Sequence, residues 1–259
     1  MKTIILCGGK GSRLGPLTES VPKPLIRVGG LPIFRHIINL YKSFEYSDFV
    51  LPIGHKGEQF KLYLDNIELH ESSLFEFRGG SVGSIDQVSP ASTIDYGFKC
   101  TCIETGEDSL TVDRLLQCEK LISDDRFFLT YGDGIGDVDL HTLHDAHVSS
   151  GKLCTITAVH PPARFGQIAF HDDSLVASFN EKTQVESGWI NGGFMVFESG
   201  IFDLLPRFAG TMLEDDLFQF LVENKELNAY KHSGFWQCVD TARDLLFLET
   251  LYKSNALGN

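Results

Sequence analysis

No stretch of this chain approaches the ~18 continuous apolar residues that a membrane-spanning helix needs, so no such span is expected. The apolar run at Ile4–Cys7 is too short for the core of a secretory signal and meets a polar loop at once, so residence in the cytoplasm is the expectation. None of the six cysteines stands at Cys-x-x-Cys spacing, which argues against zinc ribbons and dithiol redox sites and leaves packing thiols. Basic residues are scarce, 22 Lys and Arg against 35 Asp and Glu, and a net charge of −13 excludes nucleic acid as the general partner. There is no repeat, low-complexity tract or linker, and no nucleophile-elbow signature of a Ser-His-Asp enzyme. The two common phosphate motifs are missing as well. Lys10 is followed by Gly11 rather than Ser or Thr, which removes the P-loop, and Leu14 stands where a dinucleotide loop would need its third glycine.

What the chain does have is a cationic glycine loop directly after its first apolar run. Leu6-Cys7-Gly8-Gly9-Lys10-Gly11-Ser12-Arg13 follows Ile4-Ile5, and Lys23 comes shortly after between Pro22 and Pro24. Glycines keep backbone N–H groups free of overhanging side chains, so a phosphate can approach them closely. Lys10, Arg13 and Lys23 add positive charge, and distant acids are largely screened beyond about 8–10 Å at physiological salt. A nucleotide-type ligand is the first hypothesis, a surface turn the bland one.

At 259 residues the chain can bury a sizeable core. Its first 160 residues alternate apolar runs with helical patterns, as parallel βαβ units do. The pattern predicts strands at Ile4–Leu6, Phe49–Leu51, Leu74–Phe77, Phe98–Ile103, Arg126–Tyr131 and Leu153–Val159, with a Gly- and Ser-rich loop at Gly79–Ser92. It predicts helices from Pro32, over Gln59–Leu64, near Val112–Ile122, and from an Asp139 cap to Ser150. Beyond residue 160 a hairpin is expected at Gly166–Phe170 and Leu175–Phe179, then a strand at Gly192–Phe197 and helices around Glu214–Glu223 and Thr241–Lys253.

Three further segments carry candidate chemistry. Asp133, in Tyr131-Gly-Asp-Gly134 just past an apolar strand, stands where parallel sheets gather ligands, and reads equally as an Asp-Gly turn. Asp240 precedes Thr241 and reads either as a second carboxylate for Mg²⁺ or as the N-cap of the last helix. Lys182 after Glu181, and Asn191-Gly192-Gly193, suit a second phosphate and a polyol, or else a surface pair and a turn. His141, His144 and His147 recur in i, i+3 steps that drift around a helix, so they are not expected to share an ion, and His147 falls on the packed stripe.

Together these segments resemble the sugar-1-phosphate nucleotidyltransferases. The signature is Leu6–Arg13 with Pro22-Lys23-Pro24. Tyr131–Gly134, Pro161–Gln167, Asn180–Lys182, Ile190–Phe194 and Gly234–Thr241 are more narrowly similar to the glucose-1-phosphate cytidylyltransferase branch. The segments come in the family's order over nearly the whole chain. The resemblance implies one α/β domain over 1–259, a Rossmann-like mixed sheet flanked by helices. Residues to about 160 would form the nucleotide part, and about 161–259 a smaller β-rich sugar-binding portion with C-terminal helices.

The resemblance implies transfer of a cytidylyl group from CTP to a sugar 1-phosphate, giving a CDP-sugar for surface polysaccharide. Leu6, Cys7, Gly8, Gly9, Lys10, Gly11, Ser12 and Arg13 would hold the triphosphate, Arg13 the departing pyrophosphate and Lys23 the α-phosphate region. Thr105, its neighbours to Leu110, and Gly132 would face the base. Asp133 and Asp240 would hold Mg²⁺, and Lys182, Asn191, Gly192 and Gly193 the sugar phosphate. A homo-oligomer is implied, with no membrane partner. Cys7 replaces the usual alanine, Ser12 the common threonine, Val112-Asp113 a pair of glycines, and Thr183 a proline. The alternatives are a transferase using UTP, dTTP or another phosphorylated substrate, and a non-catalytic regulatory subunit that binds nucleotide or sugar phosphate.

Overall fold

The computed structural model describes residues 1–66, 97–161, 167–171, 174–180 and 188–254. Its frame is a sheet of seven strands among these residues. In chain order they are β1 (Thr3–Leu6), β4 (Asp48–Ile53), β5 (Lys99–Glu104), β6 (Arg126–Tyr131), β8 (Cys154–Val159), β11 (Ile190–Glu198) and β12 (Leu227–His232). The short strands β2 (Arg27–Val28) and β3 (Leu31–Pro32) pair as a hairpin, as do β9 (Gln167–Phe170) and β10 (Val176–Asn180). β7 (Gly134–Gly136) pairs with β13 (Trp236–Cys238).

The sheet order is β12-β8-β11-β6-β1-β4-β5. β1 pairs in parallel with both β4 and β6, whereas β11 runs antiparallel to β6 and β8. The chain thus leaves β1 on one side toward β4 and β5 and returns on the other side at β6. That is a topological switch point, and the loops beyond its carboxyl ends splay apart to leave a crevice.

Both sheet faces are covered, which is why the central strands read as unbroken apolar runs. On one face Ile5, Leu51 and Phe128 pack with Phe34, Ile37 and Tyr41 of helix α2 (Ile33–Ser43). On the other, Ile4, Val50, Phe127 and Leu129 pack with Val112 and Leu115 of α4 (Thr111–Gln117) and with Leu213 and Leu217. Two short helices, α1 (Pro16–Ser20) and α3 (Gly57–Asp65), follow β1 and β4 in the chain.

Helix ends follow local chemistry. α5 (Leu140–Ser150) starts where Asp139 Oδ1 accepts from Thr142 N at 2.8 Å, and ends at Gly151 with φ 61°. α6 spans Phe218–Glu223, and α7 (Ala242–Lys253) is capped by a reciprocal Thr241–Asp244 box.

Three expectations change. The helix foreseen near Val112–Ile122 stops at Gln117, where Cys118 N donates to Leu115 O, and Glu119–Leu121 continues as a tighter 3₁₀ turn. The helix foreseen from Glu214 begins as a wide π-type turn at Leu213–Leu217. Thr241, not Asp240, caps the last helix, which leaves the Asp240 carboxylate for other partners. The foreseen strand at Leu74–Phe77 and loop at Gly79–Ser92 lie outside the described residues. No helix among the described residues is long and apolar enough to cross a membrane.

Candidate active site

A cavity of about 1830 Å³ opens beyond the carboxyl ends of β1 and β6. The loop after β1 forms its floor, from Leu6 through Gly11 to Arg13, with Gly132 and Asp133 beside it. This placement follows from pairing: Leu6 lies in register with Tyr131, and Gly132 N donates to Leu6 O at 3.1 Å. The two loops are therefore extensions of adjacent strands. Ser12 starts a 3₁₀ turn, Ser12–Leu14, within this loop.

An ion cluster sits at the centre. Lys23, only 9% exposed, starts a 3₁₀ turn after Pro22, and Pro24 follows it, so the backbone that carries its side chain is stiff. Its Nζ lies 2.6 Å from Asp133 Oδ2 and 2.7 Å from Asp240 Oδ1. Arg13 Nη1 reaches Asp240 Oδ2 at 3.4 Å from an exposed position. Val239 N donates to Asp133 O at 3.0 Å, which ties the two carboxylate-bearing segments together.

Burial disfavours the Lys23 charge, but the carboxylates of Asp133 and Asp240 outweigh it and hold the ammonium above its usual value. Burial likewise works against the Asp240 carboxylate, and bonding from Lys23 brings it below the usual carboxylate range. Two carboxylates thus converge on one point occupied by a cation. The donors are hard oxygens, and two protein carboxylates completed by substrate phosphate suit Mg²⁺. Among the described residues no group of three or more His, Cys, Asp or Glu side chains gathers as a metal site.

The wall on the β5 side is organised by a residue that the sequence reading missed. Arg114 of α4 is buried and donates to Thr105 Oγ1 at 2.6 Å, Gly106 O at 3.0 Å, Gly8 O at 2.9 Å and Glu107 O at 3.2 Å. It therefore joins the glycine loop to the segment after β5. A Cβ on Gly8 would lie 2.1 Å from Arg114 Nη1, so this close approach requires glycine. The available signal was an arginine on the same helix face as Cys118, one turn from it, with Val112 and Leu115 beside them.

Thr105 does not line the cavity. It is buried, and its hydroxyl donates to Ile53 O at 2.8 Å, so it supports the wall from behind. Leu110 does line the cavity, together with Glu107, Asp108 and Ser109. Lys10 pairs with Asp108 at 2.7 Å across the exposed mouth. Asp113, at the position of a departure from the resembled pattern, accepts from Gly210 N at 2.8 Å and braces the loop that leads to Glu214. Cys7 lines the floor as a buried thiol, and burial pushes its ionisation well up, so it stays protonated.

On the β11 side Asn191 lines the cavity, but Gly192 and Gly193 do not. Gly192 O accepts from Trp236 Nε1 at 2.7 Å, and Gly193 N donates to Asn191 Oδ1 at 3.0 Å. Gly192 O and Gly193 N are thus bonded within the fold rather than offered to a polyol. Two residues not foreseen for the site stand here: Tyr131, which donates to a carboxylate oxygen of Glu214, and Glu214 itself. Lys182 lies outside the described residues. The histidines stay apart from the cavity, with His147 buried between Thr155 Oγ1 at 2.9 Å and Glu198 Oε1 at 3.2 Å.

Known proteins share this arrangement of sequence. The family described as "Nucleotidyl transferase" matches residues 2–254. A Bacillus subtilis protein named "Probable glucose-1-phosphate cytidylyltransferase" is 38% identical, covering 97% of this chain and 96% of its own. The glucose-1-phosphate cytidylyltransferase of Salmonella typhimurium is 37% identical over 98% of this chain and 96% of its own. The crystal structure of HddC from Yersinia pseudotuberculosis shares the fold, with a TM-score of 0.66 at 19% identity, covering 97% of this chain and 99% of that one.

Proposed function

This chain belongs to the nucleotidyl transferase family, and from that membership we propose that it transfers a cytidylyl group from CTP to glucose 1-phosphate, releasing pyrophosphate. The observation that carries the reading is the cluster of Lys23, Asp133 and Asp240 at the mouth of the glycine loop. The choice of CTP and of glucose 1-phosphate rests on the relatives at 37% and 38% identity, whose similarity extends over nearly the full length of both chains. We read residues to about 160 as the nucleotide-binding part and the rest as the sugar-phosphate part of one catalytic domain.

In this mechanism an oxygen of the sugar phosphate attacks the α-phosphorus of CTP in line, and the bond to the pyrophosphate oxygen breaks. The nucleophile is already an anion, so no general base is required. The obstacles are repulsion between two polyanions and the charge that grows on the leaving group. The N–H groups of the Leu6–Gly11 loop and the Arg13 guanidinium meet the triphosphate, with Arg13 at the departing pyrophosphate. Lys23 turns its ammonium from the two carboxylates to the α-phosphate, where it offsets charge on both reactants. Gly132 and Leu110 border the base, while Thr105 holds that wall through Arg114. Lys182 and Asn191 hold the sugar 1-phosphate, Lys182 as the point charge on its phosphate. Asp133 and Asp240 would hold Mg²⁺, which supplies positive charge to the phosphate oxygens when bound.

The test is pyrophosphate release from the purified protein with Mg²⁺ and glucose 1-phosphate, run in turn with CTP, UTP, dTTP and GTP. Turnover with CTP at least tenfold above the others is the expected result. Preference for another nucleotide overturns the base assignment, and no release with any of them overturns the catalytic reading.

A further inference from the structure

We propose that Glu214, Tyr131 and Asn191 form the corner of the cavity that reads the hydroxyl groups of the incoming sugar, with Glu214 setting which sugar 1-phosphate is accepted. The inference rests on the transferase reading above and adds a specificity-determining residue to it. Glu214 belongs to none of the motifs by which the chain resembles its family.

The corner is built, not incidental. Glu214 sits on the π-type turn Leu213–Leu217, which buries Leu213 and Leu217 in the core and leaves the carboxylate on the cavity wall. Such turns add a residue to a helix and are often found at functional sites. Thr111 Oγ1 accepts from Leu213 N at 2.7 Å, so the turn is anchored to the first residue of α4.

Tyr131 closes the corner. Its phenol donates to Glu214, and Asn191 Nδ2 donates to the phenol oxygen at 3.4 Å. Its ring lies over Gly193, where φ is +86° and a Cβ would come within 2.5 Å of the ring, so only glycine admits it. Asn191 Oδ1 is occupied by Gly193 N at 3.0 Å, which directs the amide N–H₂ toward the phenol and the cavity. Burial, followed by the Glu214 charge, pushes the Tyr131 ionisation far up, so the phenol remains a donor at any working pH.

The charges then select the ligand. Lys10, Arg13 and Lys23 face the region where phosphates would lie, whereas Glu214 offers an exposed carboxylate with a second oxygen that has no protein donor among the described residues. A carboxylate repels phosphate and accepts from neutral hydroxyls, which on these substrates belong to the sugar or to the ribose. Tyr131 adjoins Gly132 and the Glu214 turn is anchored at Thr111, both next to residues proposed to border the base, whereas Asn191 lies on β11, beyond β6 and farther from the segment after β5. A hydroxyl that meets Asn191 as well as Glu214 therefore belongs to the sugar rather than the ribose. A carboxylate accepting from two hydroxyls also distinguishes epimers, because the wrong stereocentre leaves it unpaired.

The experiment compares the intact protein with Glu214→Gln and Tyr131→Phe in steady-state pyrophosphate release, varying glucose 1-phosphate and CTP separately. For Glu214→Gln the KM for glucose 1-phosphate is expected to rise about tenfold or more, as for a lost hydrogen bond to a charged group, with the KM for CTP within about twofold. Discrimination against galactose 1-phosphate and mannose 1-phosphate should shrink in the same variant. Tyr131→Phe, which keeps the ring, should raise the same KM less. A rise confined to the KM for CTP would assign the corner to ribose and overturn the proposal, as would unchanged constants in both variants. If the unaltered protein releases no pyrophosphate with any sugar 1-phosphate, the transferase reading itself falls, and this proposal with it.

Discussion

Lys23 illustrates how a single side chain can serve two states of the site. Without phosphates present, its ammonium neutralises two carboxylates that would otherwise repel each other across the cavity. In the proposed mechanism, the same group turns to the phosphate and releases the carboxylates. A stiff Pro22-Lys23-Pro24 backbone makes this exchange a side-chain movement rather than a loop rearrangement. Replacing Lys23 with Ala removes the charge while leaving the fold, because the core clusters do not depend on its side chain. We predict that Lys23→Ala and Asp133→Asn each lower kcat/KM by at least on the order of 10²-fold. Pyrophosphate release measures the loss, and far-ultraviolet circular dichroism confirms that the fold persists. Near-normal turnover in either variant contradicts the roles given to these residues.

At the scale of elements, α5 and β8 are joined by a buried polar contact rather than by packing alone. His147, on the inward face of α5, meets Thr155 on β8 and Glu198 at the end of β11. Burial lowers its proton affinity, and this outweighs the opposing influence of Glu198, so the ring is held below the usual histidine value. The sign of the consequence follows. The unfolded chain binds a proton there near pH ~6.5, and the folded chain does so only at lower pH. Stability from this group is therefore complete above about pH 6.5 and declines as pH falls through and below it. Urea unfolding between pH 7 and pH 5 should show a steeper loss for the native protein than for His147→Gln. Parallel curves for the two proteins would rule this out.

At the scale of the molecule, the cavity gathers segments from the start, middle and end of the chain around one switch point. Its floor comes from the loop after β1, its centre from the ends of β6 and β13, and its rim from Leu246 and Phe247 of α7. A ligand that touches all three resists global unfolding rather than local fraying. At about 100 times its Kd, CTP with Mg²⁺ should add about 2.7 kcal/mol of stability, or roughly 5–10 °C in Tm for a chain of this size. Calorimetric scans with and without CTP, each with Mg²⁺, measure the shift. An unchanged midpoint at saturating CTP would separate the cavity from nucleotide binding.

The central strands, α2 and the cap of α5 were legible in the sequence because each depends on neighbours along the chain. Apolar runs mark strands buried on both faces, the stripe through Ile33, Ile37 and Tyr41 marks a helix, and Asp139 caps its own turn. The glycine loop with Lys10, Arg13 and Lys23 raised the expectation of an anion site, since glycine and positive charge are the local requirements for one. Which partners these groups meet was not local information. Only the order of strands brings Asp133 and Asp240 to one Lys23 ammonium and leaves Thr241 to cap α7. Only packing sends Arg114 beneath the glycine loop, turns Thr105 away from the cavity and engages Gly192 O and Gly193 N in internal bonds. The reason is physical: propensity and periodicity act over a turn or a strand, whereas a site is assembled by pairing register and close packing between residues far apart in the chain.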